Sequence, residues 1–182
     1  SLLEKYWRED SFEYRLRADE FKKQGKEVLS DYFQFISENP LNVVGVEKHF
    51  SYVMKDLNVN ISGKIDRIDK VGDSLNIIDY KTSRKKEKAK NNIQLALYIQ
   101  AINNGALSDI PGSAGNAILH YLRFGDDPIS SHQFSDSELE EYSEKIRKVA
   151  EGIRSKTFET KKSDFNCINC DYKEFLCPAW EE

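Results

Sequence analysis

Two aspartates and a lysine, Asp66, Asp79 and Lys81, carry the spacing in this 182-residue chain that could do chemistry. They lie in Gly63-Lys64-Ile65-Asp66-Arg67-Ile68-Asp69, then Lys70-Val71-Gly72-Asp73-Ser74 and Leu75-Asn76-Ile77-Ile78-Asp79-Tyr80-Lys81. The pattern is a hairpin with Gly72-Asp73 as its two central turn residues, and that turn sets Asp66 directly opposite Asp79. Opposed residues on antiparallel strands have Cβ atoms roughly 4.5–5.5 Å apart, where two carboxylates repel unless a cation lies between them. Alternation puts Lys81 on the face of Asp79 and turns Tyr80 away. A slip of two residues in register would keep those faces.

Two carboxylates, with the carbonyl of Tyr80, make a hard oxygen set suited to Mg²⁺ or Mn²⁺, leaving water positions open for a phosphate oxygen and a nucleophile. Such an ion polarises the phosphate and acidifies its water, while Lys81 orients that water or stabilises charge on transition-state oxygens. This is chemistry for phosphodiester hydrolysis. Glu47, in Val44-Gly45-Val46-Glu47-Lys48, adds a third carboxylate if its strand lies beside that of Asp66. The plainer reading is a set of exposed ion pairs among Asp66, Arg67 and Lys81, each worth little. Against it stands Leu75-Asn76-Ile77-Ile78, apolar except at Asn76, which reads as a strand covered on both faces; charges ending such a strand need a purpose.

The flanking elements follow from periodicity. Residues 11–37 place Phe12, Leu16, Phe21, Val28, Leu29, Tyr32, Phe33 and Ile36 at helical spacing, which predicts a helix pair or one long helix. Val43 to Tyr52, Val59 to Asp69 and Ser74 to Tyr80 read as three strands in an antiparallel meander. Asn91 to Asn104 returns to helix, apolar on most of its circumference and so buried against the sheet. Pro111, Gly112 and Gly115 mark a loop before a strand over 117–124. Ser135-Asp136-Ser137-Glu138 is a capping box opening a helix to about Ser155. No repeat or linker appears, which predicts one compact unit of α/β layers, a mixed sheet with an antiparallel meander flanked by helices.

Gly63-x-x-Asp66-Arg67-Ile68-Asp69, Asp79-Tyr80-Lys81-Thr82 and Gln94-x-x-x-Tyr98, in that order and on strand, strand and helix, resemble the signature of the RecB-like branch of the PD-(D/E)xK nuclease superfamily. The match spans residues 47 to 98. The resemblance implies a restriction-endonuclease-like core with Asp66 and Asp79 as metal ligands and Lys81 as the catalytic lysine. It implies Glu47 as the acidic residue of the preceding strand, and Gln94 and Tyr98 as supporting or DNA-contacting residues. Spacing agrees for the last pair, which are four apart and share one helical face; an outward polar stripe or a half-buried Tyr98 are the plainer readings.

Lys81, Arg84, Lys85, Lys86, Lys88 and Lys90 face Glu87 alone in one short run, on a chain whose formal charge is −4. Leaving the Asp79 strand directly, the run could follow a phosphate backbone with salt-dependent affinity, or form a solvated loop. All three cysteines, Cys167, Cys170 and Cys177, sit near the C-terminus. Such clustering favours metal over disulfide, although three thiolates fall short of the usual four. The arrangement is similar to AddB-type and CRISPR-associated nucleases, in which three late cysteines join an upstream one on a [4Fe–4S] cluster; that implies such a cofactor in the full-length protein. This sequence has no upstream cysteine and no histidine in its opening helices. Plain thiols, or a zinc site completed by His120 or His132, are alternatives.

No run approaches the ~20 apolar residues of a membrane span, and no Gly-x-x-x-x-Gly-Lys-Ser/Thr marks a P-loop. Residues 1–182 read as a single nuclease domain cut from a longer chain: a helical part over 1–40, a catalytic core over 41–130, and a C-terminal helix with a cysteine-containing tail over 131–182. The resemblance implies a cytoplasmic, metal-dependent exonuclease of a UvrD/RecB/AddB-type helicase–nuclease in recombination and repair, with DNA and a helicase domain or subunit as partners and no membrane. The rival is a nuclease fold that has lost catalysis and serves as a DNA-binding or scaffolding module, against which the intact Asp66, Asp79 and Lys81 speak. A cluster-bearing redox or structural domain would leave the acid pair unexplained.

Overall fold

The computed structural model describes residues 1–173 and 176–180. It divides into two compact units, Ser1–Tyr142 and Ser143–Glu182. In the second unit Phe158, Phe165, Ile168, Tyr172 and Leu176 are all exposed.

The first unit is built on a five-stranded sheet of order β1-β2-β3-β4-β5, comprising β1 (Val43–Met54), β2 (Val59–Val71), β3 (Ser74–Lys81), β4 (Ser113–Tyr121) and β5 (Ile129–His132). β1, β2 and β3 form the expected antiparallel meander; β4 lies parallel to β3, and β5 closes the far edge antiparallel to β4. Gly72 takes φ +61°, the left-handed conformation the two-residue turn demands, and Val71 pairs with Ser74 across it. That fixes the register through to Arg67 opposite Ile78. At Gly63 the ring of Phe50 packs so closely that a Cβ would lie 2.9 Å from it.

Helices cover the sheet on both sides. After the short α1 (Leu2–Tyr6), residues 15–38 form one long helix, α2 (Arg15–Glu38), whose Tyr32 and Phe35 reach the sheet at His120. α3 (Ile93–Asn103) starts where the Asn92 side chain accepts the Leu95 amide, and buries Leu95, Ala96, Tyr98, Ile99, Gln100, Ala101 and Ile102. With Ile65, Ile68, Leu75, Ile77 and Leu119 it forms the core. The predicted capping box is present: the Ser135 amide donates to Glu138 Oε2 and the Glu138 amide to Ser135 Oγ, opening α4 (Asp136–Arg154). Missed by sequence reading was β5; the parallel pairing of β4 with β3 makes the sheet mixed, as predicted.

His120 is 2% exposed, ringed by Tyr32, Phe35 and Tyr80. Burial, reinforced by the Arg67 charge, lowers its pKa from 6.5 to about 4. The unfolded chain therefore binds more protons between those values, so the stability held above pH 6.5 declines as pH falls and is lost by about pH 4. The expected loss is on the order of 3 kcal/mol. Urea unfolding from pH 7 to 4.5 should show a steeper fall for wild type than for His120→Leu; parallel curves would contradict this.

Candidate active site

Asp79 sits at the end of β3, 3% exposed, in parallel register with Leu119 of β4. Its Oδ2 lies 2.6 Å from Lys81 Nζ, yet no aligned hydrogen bond reaches that oxygen. Burial raises the Asp79 pKa, the neighbouring ammonium opposes this, and the Asp66 charge adds to it. Two neighbouring carboxylates, one of them buried, carry more negative charge than the single Lys81 ammonium balances, and a divalent cation would relieve it.

Asp66 is half-buried on β2. Continuing the β2–β3 register one step beyond Arg67 opposite Ile78 brings it across from Asp79, as the turn predicts. There the backbone ladder gives way, and the Tyr80 amide donates to Asp66 Oδ2 at 2.9 Å.

Successive residues of β3 serve opposite faces. Tyr80 turns to α2, its hydroxyl 2.6 Å from that of Tyr32, while Lys81 turns to α3. Lys81 Nζ donates to Gln94 Oε1 (3.0 Å), Gln94 Nε2 donates to the Tyr98 hydroxyl (2.5 Å), and that hydroxyl donates to the Lys64 carbonyl (2.8 Å). Gln94 and Tyr98, one helical turn apart, thus anchor the lysine to the strand that carries Asp66. Burial pushes the Tyr98 phenol up to about 12; Gln94 opposes this and the two aspartates add to it, so the hydroxyl stays protonated and keeps donating.

Glu47 lies across the β1–β2 pair from Asp66, between the paired positions Val46/Arg67 and Lys48/Ile65. Its backbone is left-handed (φ 51°) and its carboxylate is paired with Lys64 Nζ. The Glu47 carboxylate thus meets Lys64, with both side chains about half exposed. Among the described residues no three His, Cys, Asp or Glu side chains gather where they could hold one ion. Nor do Cys167, Cys170 and Cys177 form a cluster; all three are free and half-buried. The arrangement does not fit an iron–sulfur centre. His120 and His132 do not complete a zinc site either, one enclosed by aromatic rings and the other 3.0 Å from Glu138 Oε1.

In the basic run, Lys86 Nζ donates to the carbonyl and carboxylate of Asp127, both at 2.6 Å. Arg84, Lys85, Lys88 and Lys90 are exposed. Sequence reading missed Lys64, the Tyr80 amide and Arg67.

A buried acid beside a second acid, with a lysine held from a helix, on a mixed sheet with helices on both sides, is the constellation of one nuclease class. The PD-(D/E)XK nuclease superfamily model matches residues 1–178. The chain belongs to that superfamily, and its sheet and helices are consistent with the restriction-endonuclease-like fold.

Among proteins of known description, it is 34% identical over 124 residues to an ATP-dependent helicase/deoxyribonuclease subunit of Streptococcus mutans, covering 62% of this chain and 11% of that protein. It is 32% identical over 114 residues to the protein of the same name from Streptococcus agalactiae serotype Ia, covering 57% and 10%. The chain thus spans about a tenth of the length of these relatives. The crystal structure titled SSO0001 aligns at 16% identity with a TM-score of 0.45, over 86% of this chain and 70% of that one.

Proposed function

We propose that this chain is the nuclease segment of a cytoplasmic helicase–nuclease, a divalent-metal-dependent deoxyribonuclease that degrades DNA ends as an exonuclease in recombination and repair. The observation carrying it is the buried Asp79, set across from Asp66 and beside a lysine that Gln94 holds in place. The superfamily and the streptococcal relatives named above support the nuclease reading; the helicase partner rests on those names.

Asp66 and Asp79, with the Tyr80 carbonyl, would hold Mg²⁺ or Mn²⁺. Bound there, the ion supplies charge stabilisation at the phosphate and a water of lowered pKa. Lys81 presents its ammonium to the attacking water or to charge building on the phosphoryl oxygens, and Gln94 and Tyr98 keep it from swinging to solvent. Arg84, Lys85, Lys88 and Lys90 follow the DNA backbone, giving affinity that falls steeply with salt. In the full-length protein the three thiols would serve a [4Fe–4S] cluster only after gathering and acquiring a fourth ligand; no step of hydrolysis passes through them.

Calorimetric titration with Mn²⁺ tests this reading. Wild type should bind, and Asp66→Asn, which can still accept the Tyr80 amide, should fold normally and bind at least about 10-fold more weakly. Equal affinity would remove Asp66 from the site, and no binding by wild type would remove the site itself. Tyr98→Phe, which severs the lysine's anchor at its far end, should slow degradation of linear DNA about 10-fold at saturating Mn²⁺. An unchanged rate would show that Lys81 needs no such support.

A further inference from the structure

On the face of the sheet opposite Lys81, β2 and β3 carry a buried polar cluster that hydrolysis does not use. Arg67 is 6% exposed and Asp69 8%. Arg67 Nη1 donates to the Tyr80 hydroxyl at 2.5 Å and to the Tyr32 hydroxyl at 3.0 Å, and its Nε lies 3.0 Å from Asp69 Oδ1. His120 and Phe35 meet edge to face alongside, their ring centroids 4.7 Å apart.

Stability alone is a poor reason for this cluster. Taking a guanidinium and a carboxylate out of water is costly, and well-packed apolar side chains in their place are often neutral or better. The Nε···Oδ1 pair is not even aligned as a hydrogen bond. What a guanidinium offers that an apolar side chain lacks is a rigid planar fork that fixes distances.

Its position gives that property a use. The β2–β3 ladder runs from Val71/Ser74 to Arg67/Ile78 and stops one step short of the acid pair. Beyond that point, Asp66 reaches Tyr80 by its side chain. Arg67 follows Asp66 in the chain, and Tyr80 follows Asp79. A bond from the Arg67 guanidinium to the Tyr80 hydroxyl therefore spans the two strands where their backbones part, directly behind the two carboxylates.

We propose that Arg67 is a positioning residue, which by clamping β2 to β3 through the Tyr80 hydroxyl sets the separation of Asp66 and Asp79. The proposal deepens the nuclease reading and rests on it. Tyr32 seats the clamp on α2, so the packing of that helix is felt at the acids without any contact with them.

The test compares Arg67→Lys, Tyr80→Phe and the double variant with wild type, using Tyr52→Phe as control. The control also loses a buried hydroxyl bond, the one from Tyr52 to Gln100 Oε1 at 2.9 Å. In the metal-free protein, hydrogen exchange at the Tyr80 amide should quicken about 10-fold in each clamp variant relative to the control. Calorimetry should show Mn²⁺ binding weakened about 10-fold in each, with the double variant no worse than the weaker single, as expected of two ends of one bond. Tyr80→Phe, which removes one oxygen, carries the test alone if Arg67→Lys fails to fold. Wild-type Mn²⁺ affinity in the clamp variants, or losses matched by Tyr52→Phe, would overturn the clamp while leaving the nuclease reading standing. Absence of Mn²⁺ binding by wild type would overturn both.

Discussion

Asp79→Ala is expected to leave the fold standing and to remove at least about 10³-fold of DNA cleavage. The two halves of that result have one cause. Burial makes the ionised form of Asp79 costly, so the folded chain tolerates this group rather than depending on it. With it gone, Lys81 still has Gln94 as acceptor, and a side chain 30% exposed can reach water. The unfolding midpoint of the metal-free variant should match or exceed that of wild type, whereas Mn²⁺ binding and cleavage collapse. Cleavage by Asp79→Ala at the wild-type rate would move the chemistry elsewhere in the chain; a large fall in midpoint would make Asp79 a structural residue.

Lys81→Met should separate metal binding from turnover. The substitution keeps most of the stem and deletes the ammonium, which now lies 2.6 Å from Asp79 Oδ2, where it competes with any cation for that oxygen. Mn²⁺ affinity should therefore hold or rise, while cleavage falls about 10²- to 10³-fold through lost transition-state stabilisation. Rates at several Mn²⁺ concentrations check this, because excess metal restores a variant that merely binds poorly. Recovery of the full rate at high Mn²⁺ would reduce Lys81 to a placeholder for the ion.

The hairpin was legible because its turn chemistry is local: Gly72 fixes the register, and the register fixes which side chains meet. The long α2, the buried α3 and the capping box were legible for the same kind of reason, as periodicity and capping act within a few residues. What escaped depended on groups far apart in sequence. Arg67 reads as an ordinary neighbour of Asp66, and only packing beneath Tyr32, from a helix more distant in the chain, shows that it faces inward. Glu47 stands on the strand beside Asp66, as expected, while its left-handed backbone and its pairing with Lys64 follow from neighbours that no spacing rule specifies. The three cysteines are close in sequence, but closeness of residues is not convergence of thiols, and they do not form a cluster.

Every side chain assigned a direct part in the proposed reaction, from Asp66 to Tyr98, comes from one hairpin and the helix that follows it. Little chain entropy is therefore spent in bringing these groups together, since loop-closure cost grows with the length of chain enclosed. The remaining connections, such as the segment between β4 and β5, are free to lengthen or change sequence without redrawing the reacting centre. A family built this way can diversify its substrates at the periphery while inheriting its chemistry as one contiguous cassette.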